Sequence, residues 1–276
     1  MFLLKCAGLW LVLVIGQIAG GMVTSLVAPA SAAAVGHDGP LSAAAALPVI
    51  AAIFALMLGG LAAHMRWNGW RKALVLFTVL YGVGSVMSQI EAVYFNSYLK
   101  LSMLTTAGAL AGDAIRAALA AAACAFLWRG GSDEPAERFG GLGWKLPVIV
   151  PIYIVFYFGA GALIAWQGAA VRHYYGQGMH IDPGQLALLQ VFRGALWAGL
   201  ALMMAKALTG GRWLRAALTG GAFAVFMAVL LLYPISFMPW DVRKFHIMEI
   251  GSSNFLFGLL AVLIITIGFK PAKAPH

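Results

Sequence analysis

Charged residues and cysteines are both scarce in this chain. Asp and Glu together number 9 in 276 residues, charged residues of both signs make up 10%, and there are 2 cysteines. A soluble domain carries about 25% charged residues, so the composition excludes an ordinary soluble globular fold. Cys6 and Cys124 both map to the cytoplasmic ends of predicted helices, where thiols stay reduced, so we expect no disulfide framework and interpret them as packing residues.

Local enzyme signatures are also absent. The sequence has no P-loop, no G-x-S-x-G elbow, no H-E-x-x-H zinc motif and no Cys-x-x-Cys pair. A bis-histidine haem site needs paired histidines within spans, and only His246 lies near one. We therefore expect no haem, and the sequence leaves other cofactors undefined. These absences favour a binding protein over an enzyme, although scattered helices can still assemble an intramembrane site.

Apolar residues dominate what is present, at 62% of the chain. A membrane-spanning helix needs about 20 consecutive apolar residues. Eight segments meet this requirement, at residues 7–29, 45–63, 73–92, 101–127, 147–167, 185–207, 214–233 and 247–269. The sequence therefore predicts an all-α, polytopic transmembrane helical bundle that forms a single domain over residues 1–276.

The basic residues predict the orientation of this bundle. Lys and Arg are retained in short cytoplasmic loops, and with the N-terminus inside, twelve of them fall on the cytoplasmic side against four outside. Both termini are then cytoplasmic. The net charge of +9 faces anionic lipid headgroups, so we expect membrane lipids as partners and no nucleic acid.

The N-terminus allows a second interpretation. The small-residue stretch APASAAA (28–34) contains an A-x-A pattern at Ala30 to Ala32, which is typical of signal-peptide cleavage. The apolar run before it is longer than the usual signal core of about 7–15 residues, which favours a retained helix. Cleavage of residues 1–32 would leave seven helices.

Internal organisation suggests two four-helix halves, residues 1–128 and 146–276, joined by a cytoplasmic loop at 129–145. WRKAL (70–74) resembles LRAAL (214–218), 144 residues later, which would fit a parallel repeat. Small-residue segments, including GQIAGG (16–21), GAGA (159–162) and LTGG (218–221), predict close helix packing.

Ionisable residues inside spans are costly and usually functional. Asp113 and Arg116 lie halfway along the fourth span, three residues apart, and predict a buried ion pair. A second set belongs to the outer third of the bundle and consists of Glu91, Gln190, Arg193, His246 and Glu249. Any site should therefore face outward.

Helical periodicity sharpens this expectation for RKFHIMEIGSSNF (243–255). His246, Glu249 and Ser253 fall on one face, with Asn254 beside them. Gly84, Ser88 and Glu91 make a similar stripe on the third span. If the stripes face each other, Glu91, His246 and Glu249 meet Arg193 in a pocket formed by the third, fourth, sixth and eighth helices.

Three roles for this pocket's acid and histidine groups are open. His246 and Glu249 could form half of a metal site completed by Glu91. They could form an acid–base pair. They could also be interfacial residues that pair with Arg193 or Arg243 and fix helix register, which the sequence favours.

Arg193 carries a separate hypothesis. Gly194 and Ala195 follow it and would leave open space beside the guanidinium, as a carboxylate or phosphate group requires. We predict that the protein binds, and could transport, a small or lipid-like anion through Arg193 and Gln190, with His246 and Glu249 as gating groups. The alternatives are an intramembrane enzyme at the outer leaflet and a structural or assembly subunit with membrane partners.

Three stretches carry a resemblance: residues 152–176, 188–202 and 237–258. They resemble an uncharacterised family of bacterial polytopic inner-membrane proteins, over about the last 130 residues. The resemblance implies a bacterial inner-membrane location and no activity, so the candidate residues rest on helix depth and spacing alone.

Overall fold

The computed structural model describes residues 1–28, 38–131, 139–176 and 182–268. Eight helices in these ranges are long and apolar enough to span a membrane, which confirms the predicted all-α transmembrane bundle. They are α1 (Phe2–Val27), α2 (Ala43–Ala63), α3 (Gly69–Tyr94), α4 (Met103–Leu127), α5 (Leu142–Leu163), α6 (Pro183–Ala207), α7 (Arg212–Ala228) and α8 (Trp240–Ile265). The possible cleavage site at Ala30 to Ala32 and the middle of the loop at 129–145 lie outside the described residues.

Local sequence explains where several helices begin. Asp182 caps α6 because its carboxylate accepts hydrogen bonds from the backbone N–H groups of Gly184 (2.8 Å) and Gln185 (3.1 Å), and Pro183 occupies the first turn. Ser102 caps α4 in the same way through the N–H of Thr105, at 3.0 Å. These caps satisfy donors that the helix itself leaves unpaired.

Helix α8 begins seven residues earlier than the sequence predicted, at Trp240. Arg243 therefore lies inside the helix and is fully buried, whereas the sequence had placed it in an outer loop. Its guanidinium donates to the carbonyls of Tyr233 (2.6 Å) and Leu231 (3.1 Å) and pairs with Asp38 at 2.7 Å. The predicted pairing of Arg243 with His246 or Glu249 is wrong.

Equivalent helices pack against each other in the two halves. In the first half α1 packs against α2 and α4, and α3 packs against α4; in the second half α5 packs against α6 and α8, and α7 packs against α8. Antiparallel packing and the even number of spans bring Phe2 and Ile265 to one face, called here the terminal side. The opposite face is called the pocket side.

Glycine contacts confirm close packing in two of the small-residue segments. A Cβ on Gly20 would lie 2.5 Å from the carbonyl oxygen of Gly112, and a Cβ on Gly220 would lie 2.5 Å from that of Phe255. GAGA (159–162) differs, because a Cβ on Gly159 would meet no described atom within 4 Å beyond its own helix, and Gly161 faces the carboxylate of Glu249. Close helix packing is the wrong interpretation for that segment.

Three basic residues that the sequence counted as loop residues are buried on the terminal side. Lys72 donates to the carbonyl of Trp128 at 2.6 Å, Lys145 donates to those of Ile265 (2.9 Å) and Ile267 (2.7 Å), and Arg215 donates to that of Gly210 at 2.8 Å. The last carbonyls of a helix have no partner within it, and they carry partial negative charge. These cations therefore stabilise helix ends.

The two halves meet on the terminal side in an isolated antiparallel bridge between Met65 and Leu208. The N–H of Arg66 donates to Ala207 at 2.7 Å, and that of Thr209 donates to His64 at 2.8 Å. Lys72 also donates to the carbonyl of Ala62, and Arg215 to that of Ala205. The members of each corresponding pair lie 143 residues apart (208 − 65, 215 − 72 and 205 − 62).

We expect Lys72→Met to lower the free energy of unfolding by about 2–3 kcal/mol, because the substitution removes charge-assisted hydrogen bonds to helix-end carbonyls. Methionine has a side chain of similar length, so the change removes the charge and leaves the packing in place. Denaturant unfolding in detergent micelles would measure the change. Arg71→Met is the matched control, since Arg71 is exposed and should change stability by no more than about 0.5 kcal/mol. Equal effects of the two substitutions would contradict the helix-end role.

Candidate ligand-binding pocket

A cavity of about 910 Å³ opens on the pocket side of the bundle. The four helices predicted to form it, α3, α4, α6 and α8, all contribute lining residues. Helices α5 and α7 contribute as well, so the predicted set was incomplete. The rings of Tyr153, Phe156, Tyr157 and Phe158 make α5 the main aromatic wall, and the lining is mostly apolar.

Arg193 on α6 and Glu91 on α3 form an ion pair on the wall of this cavity. Nη2 of Arg193 lies 3.1 Å from Oε2 of Glu91, and the Arg193 side chain is 2% exposed. Nη1 of Arg193 donates to Oε1 of Gln190 at 3.0 Å. The Tyr157 hydroxyl donates to Oε1 of Glu91 at 2.7 Å. The predicted proximity of Glu91 and Arg193 is therefore confirmed, and each already has protein partners.

Gln190 lies behind Arg193 and is fully buried, and it is not among the residues that line the cavity. Its Oε1 also accepts from the Tyr153 hydroxyl at 3.2 Å. Gln190 thus orients Arg193. Its predicted contact with a ligand is not supported by this position.

The open space expected beside Arg193 is occupied by α5. A Cβ on Gly194 would lie 3.1 Å from Cδ1 of Tyr153 and 3.2 Å from Cγ1 of Val150. Gly194 therefore allows α5 and α6 to approach each other, and the prediction of a vacant anion position at this glycine is wrong.

His246 and Glu249 form a second pair, one turn apart on α8. Nδ1 of His246 lies 2.6 Å from Oε2 of Glu249, and both side chains are 15% exposed. The short helix Ala169–Gly176 on the pocket side supplies a third member, because the Tyr175 hydroxyl lies 2.9 Å from Nε2 of His246. The result is a hydrogen-bonded series from tyrosine through imidazole to carboxylate.

The environment of Tyr175 favours the protonated form of its phenol. Burial, and then the neighbouring Tyr174, Glu91 and Glu249, raise the pKa of the Tyr175 phenol well above its ordinary value. A phenol that keeps its proton can donate to Nε2 of His246. In that arrangement Nδ1 of His246 carries the imidazole proton and donates it in a hydrogen bond to Oε2 of Glu249.

All four ionisable side chains line the same cavity, but as two separate pairs. Glu91 is engaged by α5 and α6, whereas Glu249 is engaged by α8 itself. Within the described ranges no three His, Cys, Asp or Glu side chains come together as metal ligands. The metal interpretation that joined Glu91 to His246 and Glu249 therefore has no geometric support.

The other predicted pocket residues divide similarly. Ser88, Ser253 and Asn254 line the cavity, and the Asn254 amide donates to the Phe223 carbonyl at 3.4 Å. Gly84 packs instead against the carbonyl oxygen of Phe226, where its Cβ would lie at 3.0 Å. The predicted stripe on α3 is thus only partly correct.

The Asp113–Arg116 ion pair is confirmed, with Nη2 of Arg116 2.8 Å from Oδ1 of Asp113. Arg116 also donates to Oε1 of Gln17 on α1 at 2.9 Å. Neither Asp113 nor Arg116 lines the cavity. We assign this pair to the packing of α1 against α4.

Sequence reasoning missed the aromatic partners of the pocket, namely Tyr153, Tyr157, Trp166 and Tyr175. The segment VRHYYG (171–176) carried the one available signal, since two adjacent tyrosines beside a short polar run are typical of a membrane interface. Tyr153 and Tyr157 are four residues apart on α5 and so share a face, but nothing local indicates which helix that face meets.

No match was found in the three comparisons with known proteins: no family model matches the chain, and neither a curated protein nor a solved structure does. The resemblance of the second half to bacterial inner-membrane proteins therefore stays a prediction. The eight spanning helices define the class of this chain as a multi-pass membrane protein.

Proposed function

We propose that this multi-pass membrane protein binds an amphiphilic, lipid-like ligand in the pocket-side cavity and moves it within or across the bilayer. The observation that carries this proposal is a mostly apolar cavity of about 910 Å³ with one ion pair and one His–Glu pair on its walls. Ligand sites combine apolar linings with a few placed polar groups. Ionisable residues inside spans usually serve function.

The helix arrangement supports entry of the ligand from the bilayer. Helix α5 packs against α6 and α8, while α3 and α4 line the cavity across from it. Phe158 lines the cavity and is also 41% exposed on a spanning helix, so its exposed surface would face lipid in a bilayer. A hydrocarbon chain could pass this residue without entering water.

We propose the predicted location and orientation along with this function. The twelve-to-four distribution of basic residues supports cytoplasmic termini, with the cavity then opening outward. The resemblance of the second half supports a bacterial inner membrane. Two observations support a duplicated four-helix unit. Equivalent helices pack together in both halves, and the bridge and the carbonyl contacts join or relate residues 143 positions apart. Repeats of this kind provide alternating access in transporters. The enzyme and assembly-subunit alternatives stay predictions.

The test uses a neutral decyl glycoside that carries a photoreactive diazirine in its chain, applied to the protein in lipid nanodiscs. Saturable labelling of cavity residues on α5 and α8 is expected for the unmodified protein. Gly161→Phe should reduce this labelling at least about tenfold, because the ring would enter the cavity beside Glu249.

Gly159→Phe is the matched control, since Gly159 lies two residues away and a Cβ placed on it would meet no described atom within 4 Å beyond its own helix. It should leave labelling unchanged. Labelling that is unsaturable, or that falls outside the cavity residues, would contradict the proposed function. Equal loss in both variants would show that the effect comes from α5 as a whole rather than from the cavity.

A further inference from the structure

The charges that line the cavity do not sum to a positive value in either protonation state of His246. The ionisable acid and base side chains in the lining are Arg193, Glu91, Glu249 and His246. Their sum is −1 with a neutral imidazole and zero with a protonated one. A cavity that selected anions by charge would need a positive excess, because burial of an unpaired anion is costly.

The polar atoms of Arg193 also disfavour an anionic ligand. Both Nη atoms of Arg193 are engaged by Glu91 and Gln190, and its Nε is unpartnered but has no exposed surface. An anion that approached Nη2 would compete with Glu91 for the guanidinium. The charge of Arg193 is thus already balanced by a protein carboxylate.

Glu249 presents the opposite case. Its Oε2 lies against His246, while its Oε1 accepts no hydrogen bond from any residue that the structure describes. Oε1 is also the atom closest to the position that a Gly161 side chain would occupy, at 3.5 Å. A free carboxylate oxygen therefore borders an open space on the cavity wall.

Aromatic rings border the same space. Cδ1 of Trp166 lies 3.9 Å from the Cβ position of Gly161, and the rings of Trp166 and Tyr175 lie 6.1 Å apart between centroids. The Tyr175 ring in turn contacts that of His246, with centroids 5.8 Å apart. Aromatic faces beside a carboxylate form the arrangement that recognises ammonium groups.

We infer that the ligand's head group is an ammonium cation, held by Glu249 Oε1 and the rings of Trp166 and Tyr175, with its hydrocarbon chain along the aromatic wall of α5. This inference rests on the proposed function and replaces the expected anion with a cation. It makes Gly161 a specificity residue, because only a residue without a side chain leaves room for the head group beside Glu249.

Competition against the photoreactive decyl glycoside tests this inference. Three competitors share the same chain length: decyltrimethylammonium, decyl maltoside and decanoate. We expect decyltrimethylammonium to abolish half of the labelling at about one tenth of the concentration that decyl maltoside requires, and decanoate to be the weakest. Glu249→Gln should reduce the tenfold preference to about twofold or less.

Asp241→Asn is the matched control, because Asp241 is an exposed carboxylate on the same helix, and its preference should equal that of the unmodified protein. Retained saturable labelling of Glu249→Gln by the glycoside would show that this variant is folded. Equal potency of the three competitors, or greater potency of decanoate, would overturn the cation inference while the proposed function stands. Absence of saturable labelling in the unmodified protein would overturn both.

Discussion

Replacing Arg243 with methionine should lower the free energy of unfolding by about 3–5 kcal/mol, because the substitution removes a charged donor that satisfies four backbone carbonyls. Arg243 is fully buried at the start of α8. Besides Leu231 and Tyr233, its guanidinium donates to the carbonyls of Met238 (3.0 Å) and Asp38 (2.8 Å) and to the Asp38 carboxylate. Methionine fills similar volume but leaves these acceptors without a donor.

Unfolding with increasing amounts of a denaturing detergent would measure this effect. Lys244→Met is the matched control, because the adjacent Lys244 is 42% exposed and its ion-pair partner among the described residues is the exposed Asp241. It should change stability by no more than about 0.5 kcal/mol. Arg243→Lys should fall between the two, since a lysine keeps the charge but cannot reach acceptors on several sides. A loss for Arg243→Met as small as that for Lys244→Met would contradict the role of Arg243.

The same residue shows why the start of α8 could not be predicted. Trp240 to Phe245 contains three charged residues, and average hydropathy assigns such a segment to a loop. In the structure Arg243 is solvated by backbone carbonyls and Asp38 rather than by water, so the helix can begin at Trp240. Lys72 and Lys145 were predicted to lie in loops for the same reason. The carbonyls that accept their hydrogen bonds belong to helix ends distant in sequence.

The spans themselves were predictable because a bilayer imposes their length and composition. The pocket was predictable only in part. Depth along each helix correctly brought Glu91, Arg193, His246 and Glu249 to one cavity. Periodicity gives the face of a helix but not the helix that faces it, so the hydroxyl of Tyr157, which engages Glu91, could not be foreseen.

The stripe on α3 failed for an identifiable geometric reason. Residues Gly82–Val86 form a π-helical turn, which accommodates more residues per turn than an α-helix. Every side chain beyond this turn is rotated relative to those before it. Glu91 and Ser88 therefore face the cavity while Gly84 faces α7. Turns of this type are frequent at functional sites, which agrees with the position of the proposed pocket.

The Glu91–Arg193 pair should show strong energetic coupling. Arg193→Met leaves the Glu91 carboxylate in a mostly apolar cavity. Glu91→Leu leaves a guanidinium that is 2% exposed, with Gln190 as its one hydrogen-bond acceptor among the described residues. Each single substitution should cost about 3–5 kcal/mol of unfolding free energy. The double variant should cost less than the sum of the two, by about 2–3 kcal/mol, because neither charge remains unpaired.

A double-mutant cycle on detergent unfolding would measure this coupling. The exposed Lys244–Asp241 pair provides the reference cycle, for which a coupling of about 0–1 kcal/mol is expected. Coupling for Glu91–Arg193 no larger than this reference would show that solvent reaches the pair and weakens it. Arg193 would then be accessible to a ligand anion. Strong coupling would mean instead that Glu91 already neutralises the guanidinium, and Glu249 would be the carboxylate that faces the ligand.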